Sequence, residues 1–454
     1  MKTDSRFAAL LRRAALDRPE TRAWAFYDWA NSAYWAVVIA AIFPIYFRSV
    51  AAADLPGELA TQRYAVATTI GLAIVAVLAP ILGALADFTG GRKRGLAIFA
   101  AFGIAAVAAM FAIQRGDWML ASVLLILSSI GVNGSFVFYD ALLPHVARPE
   151  ETDRLSASGY ALGYLGSGLL LAANVAWILK PQWFGLPHGE GLTPSQQTLP
   201  TRLAFLSVAV WWALFSIPLL RRVAEPAALY EADERRGDNP IRIAFTRLSE
   251  TFRELRSHRD AFLFLLAFLI YNDGIGTIIR MAAIYGDEIG IPQSALILSI
   301  LLVQFVGVPF SVLFGVLAGK IGPKRAIFLG LAAYAGISLV AFFMRTATHF
   351  LVLALLVGMV QGGTQALSRS LFASMIPKHK SGEFFGFFAV FEKFAGIFGP
   401  GLVAIIIAAT GSTRLSILSV VVFFLVGGFL LIPVDIEAGR RRAREAEREL
   451  RAES

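Results

Sequence analysis

Apolar stretches of about 17–25 residues recur twelve times along this chain, each long enough to cross a roughly 30 Å hydrocarbon layer as an α-helix. Few features narrow a fold further. A segment in lipid must satisfy its own backbone N–H and C=O groups, so it is either a helix or part of a closed barrel. No comparable run alternates apolar with polar residues, which argues against a barrel. The 454 residues are 57% apolar and 16% charged, against about 45–50% and about 25% in soluble domains. The expected class is an all-α polytopic membrane protein of twelve transmembrane helices. The spans are predicted at 24–47, 64–86, 96–113, 118–139, 157–179, 203–220, 261–285, 294–318, 326–344, 350–367, 385–409 and 415–432. That is six plus six, giving a first bundle (1–220), a linker (221–260), a second bundle (261–435) and a charged tail (436–454).

The net charge of +9 would suit nucleic acid, but its distribution argues otherwise. About 32 of the 41 Lys and Arg residues fall in the termini and the even-numbered loops, and about 7 in the odd-numbered ones, the bias of cytoplasmic loops. Both termini are therefore expected on the cytoplasmic side of a membrane, with the lipid bilayer as partner and no nucleic acid. A charged stretch with Arg12, Arg13, Arg18 and Arg22 precedes the first apolar run, which lacks a small-residue cleavage site and reads as a retained span. The chain has no cysteine, so thiolate metal sites and cysteine nucleophiles are excluded. Its five histidines never pair at helical spacing, which argues against haem or zinc. The string from Gly315 to Ile321 is one residue short of a phosphate-binding loop and lacks its hydroxyl. No cofactor is expected, and no enzymatic cluster is visible; energy for transport would come from an ion or solute gradient.

One turn is written twice. Gly83-Ala-Leu-Ala-Asp87-Phe-Thr-Gly90-Gly-Arg92-Lys93-Arg94 ends one apolar run, and Gly315-Val-Leu-Ala-Gly319-Lys320-Ile-Gly322-Pro-Lys324-Arg325 ends another half a chain later. Such repetition marks duplicated halves in parallel topology, an arrangement typical of transporters. Asp87 can meet a basic side chain or the positive end of a helix, so Asp87, Arg92, Lys93, Arg94, Lys324 and Arg325 are gating candidates. The alternative is that the basic residues only anchor topology. In the linker, Ile241, Phe245, Leu248, Phe252 and Leu255 repeat at helical spacing. This helix either lies on the membrane surface, bridging the halves, or packs beneath the protein. The loop 180–202 is expected to be irregular, and the stretch 440–451 a solvated charged helix or a frayed tail.

Charges inside spans are costly and usually face a cavity or a partner. Asp273 lies near the middle of the seventh span, with Arg280 two turns on along the same face. Glu392 and Lys393 lie in the eleventh and, as sequence neighbours, are expected to diverge by about 100° and seek partners elsewhere. Asn133, Asn272, Gln304, Gln361 and Gln365 are further polar candidates. Together they suit a cavity in which Arg280 or Lys393 takes a carboxylate and Asp273 or Glu392 takes an amine or a coupling proton. The alternative is a buried structural ion pair between the seventh and eleventh spans. At the start of the first span Asp28 and Asn31 share a face; with Asp140 and Arg369 they are candidate gate residues.

These residues resemble a known family. The two turns resemble the loop signature of the major facilitator superfamily. FYDWANSAY (26–34), YNDG (271–274), GGTQALSRSLFASMIPK (362–378) and FGFFAVFEKFAGIFGP (385–400) resemble its vacuole-effluxer branch, associated in eukaryotes with amino-acid export from the vacuole. The resemblance implies two six-helix bundles rocking around a central site, in a bacterial member. The protein is expected to work as a monomer on a small-molecule solute, and the carboxyls inside its spans make protons the candidate coupling ion. The first turn departs from the signature by an extra residue after Gly90 and by Phe88 where a basic residue is usual; in the second, Gly319 replaces the acid. Export of amino acids or similar zwitterions is the leading expectation. Proton-driven export of drugs or amphiphiles, and a non-transporting receptor or enzyme on the same fold, are the alternatives.

Overall fold

A computed structural model describes residues 2–227, 239–288, 290–396 and 398–453. Among the described residues, twelve helices are long and apolar enough to cross a membrane. Spans one to six are Pro19–Ala51, Gly57–Thr89, Arg92–Ala112, Trp118–Val146, Thr152–Leu179 and Pro194–Arg222. Spans seven to twelve are Arg259–Met281, Ala295–Ile321, Pro323–Phe342, Ala347–Ser374, Lys378–Thr410 and Thr413–Leu431. Each predicted span has its counterpart, generally longer than the apolar run that revealed it.

Both basic turns end a span on a left-handed glycine, Gly90 at φ 62° and Gly322 at φ 87°, a conformation that costs glycine little. They also perform the same task in each half. Lys93 Nζ donates to the carbonyl of Val223, just past the sixth span, at 3.1 Å. Lys324 Nζ donates to the carbonyls of Ile432 and Val434, at the end of the twelfth, both at 2.8 Å. Each lysine thus answers orphan carbonyls at a helix C-terminus. Glu225 adds to this in the first half, accepting from the backbone N–H groups of Lys93 at 2.7 Å and Arg94 at 3.2 Å. Both chain ends lie at the end of the molecule that carries these turns, called the basic end below: Ser158 Oγ donates to Ala14 O at 2.7 Å, and Lys378 N to Glu447 Oε1 at 3.0 Å.

Several spans are not simple rods. The first is π-helical over Tyr34–Ile42, just before Pro44, which has no N–H to donate. The eleventh breaks into Ser381–Phe394 and Phe398–Thr410 around Ala395 and Gly396. The twelfth is interrupted between Thr413–Ser419 and Val421–Leu431.

Two expectations are corrected, and for the linker helix one of the two alternatives is selected. The loop 180–202 is not irregular throughout: the sixth span already begins at Pro194. A capping box starts it there, with Gln196 N donating to Thr193 Oγ1 at 3.3 Å and Thr193 N to Gln196 Oε1 at 2.9 Å. The tail helix Ile436–Glu453 is docked rather than frayed, through Glu447, Arg440 on Ser374 at 3.3 Å and Arg442 on Asp260 at 3.3 Å. The linker helix Pro240–Ser257 packs beneath the protein with Ala244 and Arg247 inward, while Phe245 of the expected apolar stripe stays 55% exposed. Arg247 turns inward because it finds a charge: its guanidinium lies 3.3 Å from Glu383 and over the ring of Phe88. The side chains of Ile241, Phe252 and Leu255 lie outside the described residues.

Candidate functional site: a charged cavity between the halves

Arg369, on the tenth span in the second half, is the hub. It is 2% exposed, and three spans of the first half supply its partners. Nη2 meets Asp28 Oδ2 of the first span at 3.1 Å, and Nη1 meets Asp140 Oδ1 of the fourth at 3.2 Å. Nε donates to Ser156 Oγ of the fifth at 2.9 Å, and Nη2 to the Ser156 carbonyl at 3.1 Å. The rings of Trp24, Tyr139 and Tyr160 lie 4.9, 5.5 and 4.6 Å from the guanidinium carbon. A planar fork of five donors suits this better than a lysine would. Tyr139 also donates its hydroxyl to Asp28 Oδ2 at 2.9 Å, and its ring stacks on Trp24 at 4.4 Å. Gly159 makes room: a Cβ there would lie 2.5 Å from Asp28 Oδ2.

This cluster floors a cavity of about 360 Å³ between the two halves, within the size range of small-ligand sites. Asp28, Asp140 and Arg369 reach it from below; Asn272, Gln304, Gln361, Gln365, Glu392 and Lys393 line it from the second half. Trp35, Ala36 and Ala40 carry its wall away from the basic end. Lys393 Nζ sits 5.5 Å from the Trp35 ring across the cavity, and Ser167 Oγ donates to Gln304 Oε1 at 2.9 Å. A second, apolar chamber of about 300 Å³ shares Ala40, Gln304 and Gln361 with it and runs in among Ile278, Leu296, Val303, Phe350 and Leu353.

Below the floor, the first turn clamps the eleventh span. Asp87 accepts the backbone N–H of Gly382 at 3.0 Å and of Glu383 at 2.9 Å, where a helix presents unpaired donors and positive potential. Arg92 pairs with Asp87 at 2.5 Å and donates to the His379 carbonyl at 3.1 Å. Gly83 and Gly382 pack so closely that a Cβ at either would overlap the other's carbonyl. His145 contacts Lys378 O at 3.0 Å and Ser381 Oγ at 3.2 Å, and Ser370 Oγ donates to Asp153 Oδ1 at 2.6 Å. Phe88, the departure in this turn, is the surface on which Arg247 rests.

Other expected site residues sit elsewhere. Asp273 does not face the cavity; its neighbour Asn272 does. Asp273 is wholly buried and accepts Gly399 N at 2.9 Å, capping the outer piece of the broken eleventh span. Thr277 donates to it at 3.4 Å, and Arg280, half-exposed, stands 3.8 Å away. Glu392 and Lys393 do not diverge: they pair at 3.1 Å, because both chains are long enough to curl towards the same cavity. Asn133 is buried within the fourth span and donates to Ser129 O at 2.8 Å. Asn31 is fully buried and is not among the residues that line the cavity. Lys93, Arg94 and Lys324 serve the turns, and Arg325 is exposed. Sequence reasoning passed over Ser156, Tyr160, Trp35 and Glu383. Only Glu383, a lone acid at the start of an apolar run, carried a local signal.

Comparison with known proteins accords with this geometry. Residues 58–444 match the family model described as "Vacuole effluxer Atg22 like". The chain is 37% identical to the MFS-type transporter YxiO of Bacillus subtilis over 92% of its own length and 95% of that protein's. It is 26% identical to autophagy-related protein 22 of Yarrowia lipolytica, over 65% of its length and 52% of the fungal protein. Among solved structures, the proton:xylose symporter XylE superposes with a TM-score of 0.66 at 14% identity, over 92% of this chain and 95% of that one. FucP in its outward conformation gives 0.65 at 14% identity, over 90% and 97%. The fold is that of major facilitator transporters, not of enzymes, and the chain belongs to the Atg22-like vacuole effluxer family within that superfamily.

Proposed function

We propose that this transporter exports amino acids or similar small zwitterions across the bacterial cytoplasmic membrane, by alternating access coupled to protons. The observation that carries the reading is the cavity between the halves, which offers both signs of charge above a floor locked by Arg369. A carboxylate has Lys393 to meet; an ammonium has Asp140 and Glu392. The positive-inside bias supports a cytoplasmic basic end and cytoplasmic termini, which makes the side of the cavity away from the basic end the outward one. Residues 1–220 and 261–435 act as the two rocking bodies, joined by the linker 221–260, and a monomer suffices because one chain encloses the whole cavity. The family description as effluxers supports outward movement; the proton:xylose symporter of like fold supports a proton as coupling ion.

Metabolite comparison of deletion and wild-type cells tests this. Accumulation of an amino acid, relieved by the wild-type gene but not by Lys393→Ala, is the expected result. The apolar chamber favours a second reading, export of drugs or other amphiphiles. Unchanged amino-acid pools with new sensitivity to toxic amphiphiles would select it.

A further inference from the structure

We propose that Asp140 is the carboxylate at which a proton and the positive group of the substrate compete, so that the two are exchanged across the membrane. This rests on the transport reading above and locates its coupling ion.

A charge count leads there. Asp273 lies off the cavity, occupied by Gly399, Thr277 and Arg280. Glu392 is already balanced by Lys393 at 3.1 Å. Asp28 and Asp140 remain, and they share one cation, Arg369. The other Arg369 donors go to Ser156. Two carboxylates on one guanidinium leave an uncompensated negative charge in a low-dielectric setting, which is costly. Asp28 is closed in by the Tyr139 hydroxyl as well as Arg369. Asp140 has Arg369 as its hydrogen-bond partner, keeps 14% of its side chain exposed and lines the cavity. The missing positive charge therefore arrives at Asp140.

Its surroundings are set by five elements. Asp28 faces it from the first span, Tyr139 from its own, Tyr160 from the fifth, Arg369 from the tenth, and Glu392 with Lys393 from the eleventh. A proton from cavity water can settle on a carboxylate oxygen of Asp140, or an ammonium can pair with it, but one carboxylate cannot hold both at full strength. Either cancels the extra charge and weakens the Arg369 tie between the fourth and tenth spans. With neither, ionised Asp140 holds Arg369 and the floor stays shut. An empty carrier is then unable to return, and exchange becomes obligatory. For a zwitterion leaving and one proton entering, one positive charge moves inward per cycle.

Infrared difference spectroscopy of the purified full-length protein across pH steps tests the proton site without any substrate. The protonated-carboxyl band is expected in the wild type, moved to lower pH in Asp28→Asn and in Glu392→Gln, each of which removes the surplus negative charge, and lost in Asp140→Asn. Asp140→Glu should restore it, and with it uptake driven by a pH gradient, which guards against a merely misfolded variant. A band that persists in Asp140→Asn would overturn the proposal. In the wild type at constant pH, a mixture of the carbon-14-labelled amino acids should diminish the band. If the mixture is carried into proteoliposomes and the band is unmoved, competition at Asp140 is wrong. If the band behaves as expected and the mixture is not carried, the Asp140 site stands and amino acids as substrates fall.

Discussion

At the scale of single residues, Arg369 does what no other side chain in the cavity does: it joins the second half to three spans of the first. Arg369→Lys keeps the charge and loses the fork. It should weaken the sealed state by about 1.5–3 kcal/mol, the worth of a hydrogen bond to a charged group that the lysine cannot make. Amino-acid uptake into proteoliposomes should be lost, and a reporter Ala141→Cys, buried in the wild type, should react faster with a thiol reagent. Gly159→Ala is a subtler probe. Its methyl would stand against the Asp28 carboxylate and should cost about 1–3 kcal/mol by overpacking, seen as a lower unfolding temperature together with reduced uptake. Unchanged behaviour in both measurements would mean that Asp28 has room to move.

At the scale of elements, the twice-written turn separates into two functions. Its lysine staples neighbouring helix ends in both halves. Its acid, present in the first copy alone, grips the start of the eleventh span across the interface. Asp87→Asn should therefore leave the staples intact while opening the basic end, read as faster labelling of Ala141→Cys, with uptake reduced and the unfolding temperature lowered because Arg92 loses its buried partner. The capping box at the sixth span gives a contrast far from this contact. Thr193→Ala should lower stability by about 1 kcal/mol without altering the labelling. The linker helix joins the same clamp through Arg247 on Glu383 and Phe88, so a segment between the halves takes part in holding them.

At the scale of the whole molecule, the inter-half hydrogen bonds and ion pairs gather from the basic end up to Ser167 and Gln304. Rocking the halves would have to exchange this set of contacts for another at the opposite end. The chain has no cysteine, so single-cysteine accessibility reads the state directly. In intact cells a membrane-impermeant reagent should label Gln304→Cys and spare Ala141→Cys; adding Arg369→Ala should reverse the order. Labelling of both at equal rates would contradict a carrier closed at one end.

Much of the architecture was legible beforehand because it follows from transfer energetics and counting. Helix length against bilayer thickness set the twelve spans, lysine and arginine placement set the topology expected of them, and the repeated turn with four local motifs pointed to the family. Which side of a span faces the cavity was another matter. These helices are apolar nearly all round, so periodicity leaves their rotation undetermined; packing chose Asn272 over Asp273 for the cavity and turned Asp273 to cap a broken helix. Glu392 and Lys393 found each other through side-chain length, which residue spacing does not encode. The Arg369 hub joins residues up to 341 positions apart in the chain. Such a contact exists only where distant parts of the chain meet, and so the tertiary structure alone decided which charges came together.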